Sequence, residues 1–146
     1  RTYDQDPRFG LLVLSQIGSK ALSPGVNDTG TAIDVLNRSA RILSLYKDET
    51  SADGPPKFPR MYIRPLDPVD LILDAFAGIA RDGAADVEVQ QRLQRIIAGL
   101  MQHPDDGLCE AAGTLGREFL DRANAAISWE PDRARLDAKV APSLPD

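Results

Sequence analysis

The stretch from Ala21 to Ala32 constrains the fold of this chain more than any other. Pro24 disfavours helical geometry at the preceding residue, Ser23, so a helix that leads into it must end there. Pro24-Gly25 at the centre of four residues is typical of a type II turn, in which proline presets the first central residue and glycine supplies a positive φ at the second. The stretch therefore predicts a helix end, a tight turn and a new helix start, which together fold one helix back against another.

Polar side chains follow the turn, and each has an oxygen that can accept a hydrogen bond from a free amide at a helix start: Asn27, Asp28, Thr29 and Thr31. Thr31 and Asp34 have the spacing of a weak capping box, although Asp takes the place of the usual Glu or Gln. Under this interpretation the polar residues of the corner join two helices, and the motif is structural.

The alternative interpretation is that the corner forms a small polar binding site. A helix amino terminus by itself favours an anion. Asp28 and Asp34 oppose an anion and suit a cation such as Mg²⁺ or Ca²⁺. This hypothesis assigns ligand binding to five residues: Ser23, Asn27, Asp28, Thr31 and Asp34.

Apolar residues recur at helical spacing in five segments, and an Asp, alone or followed by Pro, marks most of their starts. The predicted helices run from Asp6-Pro7 to about Leu22, from about Thr31 to Lys47, from Asp67-Pro68 to Gly83, from Asp86 to His103, and from Asp105 or Asp106 through Ala123. The first carries apolar residues around more of its surface than one stripe needs, so we expect it to be central. Glycines cost helix stability, so those inside the later helices predict close helix–helix approach: Gly78, Gly99, Gly113 and Gly116.

Met61–Leu66 is the one plausible strand, and Pro65 confines it to a sheet edge. A lone strand leaves its backbone groups unpaired, so it must pair with another segment, another copy or a region outside this chain. The predicted fold is mainly α, with about five helices in an orthogonal or bundle-like packing and one short edge strand. We divide it into a helical domain over residues 1–129 and a Pro-containing C-terminal tail over residues 130–146.

Composition argues against several classes of function. A net charge of −5 does not suit a nucleic-acid binder, and 5% aromatic residues are too few for a base-stacking platform. With one cysteine, Cys109, and one histidine, His103, neither a zinc site nor a Ser-His-Asp arrangement is supported. We interpret His103 as a cation near the end of helix four and Cys109 as a small buried apolar group. We expect no catalytic activity and no cofactor.

Two stretches of the chain resemble the signature of a bacterial family of predicted multi-pass membrane proteins of unknown function. Arg1–Gly10 follows the pattern R-T-x-x-Q-D-x-x-F-G, and Ala21–Ala32 follows A-L-S-P-G-x-N-D-x-x-T-A, in the same order. The resemblance is densest in residues 1–32 and thin after Met61. Where the family usually has Pro after Asn-Asp, this chain has Thr29.

The resemblance implies hydrophobic spans upstream of this region, so we expect the chain to be a piece of a longer membrane protein. Its own longest apolar run near the start, Leu11 to Leu14, is far shorter than the roughly 20 residues that a span requires. We expect a soluble, cytoplasmic interaction or regulatory domain that assembles this protein into homo-oligomers, with the upstream transmembrane region as a partner. The alternative is a small-ligand or divalent-metal sensing domain that uses the Ser23–Thr31 corner.

Overall fold

A computed structural model describes residues 6–47, 60 and 65–140 of the chain. These residues form helices and connecting turns, and the mainly α fold predicted from the sequence is confirmed. Six helices lie in the described ranges: α1 Pro7–Ala21, α2 Thr29–Leu43, α3 in three consecutive parts, α4 Val87–Leu100, α5 Asp106–Ala126 and α6 Glu130–Val140. The parts of α3 are Pro68–Ile72, a π-helical segment Leu73–Ala77, and Gly78–Asp82.

Aspartate side chains cap the starts of α1 to α5 by accepting hydrogen bonds from free backbone amides: Asp6, Asp28, Asp67, Asp86 and Asp105. Proline occupies the first position of α1 and α3, where its missing amide costs nothing. The predicted starts at Asp6, Asp67 and Asp86 are therefore confirmed. The second helix differs from the prediction at both ends, since it begins at Thr29 and ends at Leu43.

The centre of the bundle is α3, not α1. The α3 helix packs against α1, α2, α4 and α5, and six of its apolar side chains are buried: Leu71, Ile72, Ala75, Phe76, Ile79 and Ala80. The main packing partners of α1 within the described residues are α2 and α3. The expectation of a central first helix is wrong, because its apolar character extends over a side that no helix in this part of the chain covers.

The tail predicted over residues 130–146 is wrong as far as residue 140, because Glu130–Val140 forms α6. Pro131 lies in the first turn of this helix, where proline is tolerated. Leu136 is fully buried, in a small cluster with Ala123 and Ile127. Residues 141–146 lie outside the described ranges.

Most of the predicted strand Met61–Leu66 also lies outside the described residues. Pro65 and Leu66 are described, and they are irregular rather than extended in a sheet.

Close helix–helix approach at glycine is confirmed at two of the four predicted positions. A Cβ placed on Gly78 would lie 2.7 Å from Ser19 Oγ, and one on Gly116 would collide with Ile97. A Cβ on Gly99 would meet nothing within 4 Å, and one on Gly113 would make an ordinary contact. Gly18 of α1 also packs closely against a neighbouring helix, since a Cβ there would lie 2.5 Å from Ile79 Cδ1.

Candidate functional site: the α1–α2 corner and the surface of α1

The corner between α1 and α2 is closed by backbone hydrogen bonds to two carbonyl groups. The Ser23 carbonyl accepts from the amides of Val26 and Asn27, both at 2.9 Å, and the Ala21 carbonyl accepts from the Asp28 amide at 2.8 Å. Asn27 has φ 50°, and no glycine in the described ranges has a positive φ. The predicted type II turn is therefore wrong, since Asn27 rather than Gly25 takes the left-handed conformation, which asparagine tolerates better than most residues.

The side chain that caps α2 is Asp28. Its Oδ1 accepts a hydrogen bond from the Thr31 amide at 3.0 Å, and its Oδ2 accepts one from the Thr31 hydroxyl at 2.6 Å. These bonds, the hydroxyl bond first, lower the pKa of Asp28 below its usual value. Thr31 therefore donates hydrogen bonds to the capping residue, Asp28. In the predicted capping box of Thr31 and Asp34, Thr31 itself would be the capping residue.

Thr29 connects the corner to a distant helix. Its hydroxyl donates to Asp86 Oδ2 at 2.8 Å. The other oxygen of Asp86 accepts from the amides of Glu88 and Val89, at 3.0 and 3.1 Å, and so caps α4. The residue that departs from the family signature therefore fixes the start of α2 to the start of α4. Sequence reasoning missed this bond, because no local pattern pairs residues so far apart.

The five residues predicted to bind a ligand do not converge on one point. Asp34 forms an ion pair with Arg38, 2.7 Å away and one turn along the exposed side of α2. Asn27 is exposed, and Ser23 contributes its backbone carbonyl to the turn. Within residues 6–47, 60 and 65–140, no group of three or more His, Cys, Asp and Glu side chains could hold a metal ion. The ligand site at the corner stays a prediction, and none of these contacts favours it.

The contact between α1 and α3 carries another charged cluster, at the start of α1 and thus at the end of that helix opposite to the corner. Arg8 forms ion pairs with Asp70 at 2.7 Å and with Asp74 at 2.6 Å. Its hydrogen bond to Asp74 is the main cause that raises the pKa of Arg8 further above its usual value. The guanidinium group therefore stays charged and joins the two helices.

A four-residue spacing runs along the side of α3 that meets α1. Asp70 and Asp74 hold Arg8, and Gly78 lies against Ser15 and Ser19. In a regular α-helix such a series drifts around the axis by about 40° at each step. The π-helical segment Leu73–Ala77 holds more residues per turn, because its hydrogen bonds reach from residue i to i+5. The segment therefore counteracts the drift and keeps these residues on the side of α3 that faces α1.

Two buried glutamines that sequence reasoning missed bind backbone carbonyls at helix contacts. Gln90 donates to the Gly83 carbonyl, at the end of α3, at 2.9 Å, and Gln94 donates to the Gly116 carbonyl at 3.2 Å. Gln90 is completely buried and Gln94 is 4% exposed. Both lie on the face of α4 that also carries apolar core residues, so nothing in the local pattern sets them apart.

The sole histidine and the sole cysteine both make local backbone contacts. His103 Nδ1 accepts a hydrogen bond from the Asp105 amide at 3.1 Å. The interpretation of His103 as a cation near the end of this helix stays a prediction. Cys109 is half-buried, and its thiol donates to the Met101 carbonyl.

The outer face of α1 is the side turned away from the buried residues of that helix. It consists of Phe9, Leu12, Val13, Gln16, Ile17 and Lys20. Leu12 is 38% exposed and Ile17 is 47% exposed, and Phe9 and Val13 are half-buried. The sequence has no charged residue between Arg8 and Lys20. Surface helices normally carry mostly charged and polar residues on the side opposite the core, whereas four of the six residues on this face are apolar.

A family described as "Predicted membrane protein (DUF2254)" matches residues 1–99. The chain belongs to this family. The match includes the corner and extends into α4, and it leaves α5 and α6 outside the matched residues. Neither a curated protein nor a solved structure matches the chain. Across residues 6–47, 60 and 65–140, none of the helices combines the length and the apolar character that crossing a bilayer requires.

Proposed function

We propose that this region of the family is a non-catalytic interaction domain that assembles the membrane protein into oligomers. The observation that supports the proposal is the outer face of α1. Exposing apolar side chains to water is unfavourable in free energy. A contiguous exposed apolar surface is therefore typical of a surface that binds another protein.

The rest of the molecule supports an interaction role over a binding pocket at the corner. The two oxygens of Asp28 accept hydrogen bonds from Thr31, and Asp34 is paired with Arg38. These groups stabilise the fold in their present positions. On the outer face of α1, by contrast, Leu12 and Ile17 leave 38% and 47% of their surface exposed to solvent.

Sedimentation equilibrium of the 146-residue chain over a wide concentration range tests the proposal. We expect a reversible monomer–oligomer equilibrium, because an isolated domain carries only part of the contacts of the whole protein. A strict monomer at the highest soluble concentration would contradict assembly through this domain.

We also propose that assembly of this domain regulates the membrane protein. The partner in this regulation is the upstream transmembrane region of the same protein. Coexpression of two differently tagged copies of the full-length protein, followed by purification on one tag, measures this in the membrane. We expect copurification to fall when the domain is deleted.

A further inference from the structure

Helices α2 and α4 run parallel to each other, side by side and in register. At their starts the Thr29 hydroxyl donates a hydrogen bond to Asp86 Oδ2. Just beyond their ends the rings of Tyr46 and His103 have their centroids 6.5 Å apart. Both contacts join residues that are 57 positions apart in the sequence. Each residue of α2 therefore lies at about the same height as the residue 57 positions later in α4.

This register brings together two pairs of arginines that are far apart in the sequence. Arg38 of α2 lies at the same height as Arg95 of α4, and Arg41 lies three residues, or about 4.5 Å, further along. The α3 helix packs against both α2 and α4, so their exposed sides both face away from it. We call this shared surface the arginine face, and its arginines are all exposed except for one that is half-buried: Arg38, Arg41, Arg95 and the half-buried Arg92.

Most of these arginines lack the carboxylate partner that several arginines have elsewhere in the fold. Within the described part of the chain, ion pairs with Asp or Glu hold the following arginines outside this face: Arg8, Arg81, Arg122, Arg133 and Arg135. On the arginine face, Arg38 is paired with Asp34. No described residue forms an ion pair with Arg41, Arg92 or Arg95. Their guanidinium groups are therefore available to an anionic partner.

The charge of the two helices is opposite to that of the whole chain. Asp34 and Glu88 are the acidic residues between the first and last residues of α2 and α4, against four arginines, so the two helices carry a net charge of +2. The whole chain has a net charge of −5. Arg41 and Arg95 lie in the second half of their helices, away from the capping aspartates at the starts. The arginine face is thus a local positive surface on an acidic molecule.

An apolar side chain lies at one end of the arginine face. Leu45 comes one turn after Arg41, just beyond the end of α2, and its exposure of 79% is the highest among the large apolar side chains of the described residues. Surfaces that bind anionic membranes combine basic side chains, which attract the headgroups, with apolar side chains that enter the boundary between headgroups and acyl chains. A free phosphate ion offers nothing to such a side chain. Leu45 therefore favours lipid as the partner.

We infer that the arginine face lies against the acidic phospholipid headgroups of a membrane, with Leu45 entering the headgroup region. The chain belongs to a family of predicted membrane proteins, and the matched residues 1–99 include all four arginines and Leu45. The intact protein therefore brings a bilayer near this face. The inference goes beyond assembly through α1, because it assigns a different side of the domain to a different partner.

Flotation of the 146-residue chain with lipid vesicles tests the inference. We expect binding to vesicles of phosphatidylcholine and phosphatidylglycerol in equal parts, no binding to phosphatidylcholine alone, and weaker binding as salt screens the charges. The double variant Arg92→Gln/Arg95→Gln should lower the partition coefficient by about 30-fold, at about fivefold for each arginine. A wild type that does not float with the acidic vesicles, or that floats equally with neutral ones, would overturn the inference.

Arg81→Gln/Arg122→Gln is the matched control. It changes the net charge by the same amount, and both residues are exposed and lie in α3 and α5, outside the arginine face. We expect it to bind vesicles nearly as the wild type does. A loss equal to that of the Arg92→Gln/Arg95→Gln variant would show that overall charge governs binding and would overturn the assignment to this face. Circular dichroism melts of both double variants verify that the fold is intact.

Leu45→Ser separates insertion into lipid from attraction by charge alone. We expect it to weaken binding to acidic vesicles by about tenfold, because an apolar contact with the membrane is lost. Binding equal to that of the wild type would overturn the insertion of Leu45. Self-association that Arg92→Gln/Arg95→Gln abolishes, in a chain that does not float with vesicles, would overturn the membrane in favour of a second copy. A chain that is monomeric and floats contradicts assembly and supports this inference.

Discussion

The corner between α1 and α2 and the contact between α1 and α3 both hold α1 in place, but they use different chemistry. The corner is exposed and is built from hydrogen bonds, such as those of Asp28 to Thr31. At the contact with α3, Gly18 lies against Ile79, and Leu11 on the same side of α1 is buried in the core. Buried apolar packing stabilises a protein more per residue than an exposed cap does. The recognisable motif therefore sets the direction of the chain, and residues without a motif supply most of the stability.

The largest effect is expected from Leu11→Ala. Leu11 is 1% exposed, so its loss removes buried apolar surface and leaves a cavity, and we expect the free energy of unfolding to fall by about 2–5 kcal/mol. Leu12→Ala, one residue away on the outer face, should cost about 1 kcal/mol or less. Urea unfolding followed by circular dichroism measures both. Equal losses would remove the distinction between the two sides of α1.

Gly18→Ala and Gly25→Ala compare the two regions directly. A Cβ on Gly18 would lie 2.5 Å from Ile79 Cδ1, so we expect overpacking to cost about 1–3 kcal/mol. Gly25 has open space around it and no positive φ, so alanine there should stabilise the protein by about 0.4–1 kcal/mol. Chemical unfolding of the two variants gives the difference. A loss at Gly25 as large as that at Gly18 would contradict the comparison.

A smaller effect is expected where the corner joins α4. Asp86→Ala removes the cap of α4 and the acceptor of the Thr29 hydroxyl, and should cost about 0.5–2 kcal/mol. Thr29→Val should cost about 0.5–1.5 kcal/mol, because it removes one hydrogen bond. The double variant tests whether the two residues act together, since coupled residues give a loss smaller than the sum. Strict additivity would mean that the Thr29–Asp86 bond contributes nothing.

The smallest effect is a dependence on pH at the exposed cap. The hydrogen bonds from Thr31 hold the pKa of Asp28 below the ordinary 3.8. A carboxylate with a lowered pKa in the folded state stabilises the fold above the ordinary value, and this contribution is lost as pH falls through the folded pKa. The difference in melting temperature between wild type and Asp28→Ala should therefore shrink below about pH 4. A difference that stays constant down to the acid end of the titration would contradict this assignment.

The parts of the fold that depend on neighbouring residues could be predicted from the sequence. An aspartate cap acts on amides two or three residues away, so Asp6, Asp67 and Asp86 mark their helix starts. The Thr29–Asp86 bond spans 57 residues and the Arg8–Asp74 pair spans 66, and periodicity contains no information about either.

Two expectations were wrong because the pattern of apolar and charged residues along a helix does not show which other helices pack against it. The apolar residues of α1 indicated a central helix, but the described residues cover only part of it. In α6, the prolines and charges of the region obscured a helix whose Leu136 is buried against Ala123 and Ile127. For the corner, the pattern predicted that a side-chain oxygen caps the second helix, and Asp28 does so. It could not show that Asp34 pairs along its own helix with Arg38.

The π-helical segment of α3 decides where this helix can change its length. Deleting one residue between Leu73 and Ala77 would allow a continuous α-helix to form in place of the wider π turn. Asp70 and Gly78 would then be seven α-helical residues apart, which is almost two turns, so both would still face α1. A deletion in a regular part of α3 would instead rotate the residues beyond it by about 100°. The family should therefore tolerate the loss of one residue within Leu73–Ala77 more readily than within Pro68–Ile72 or Gly78–Asp82.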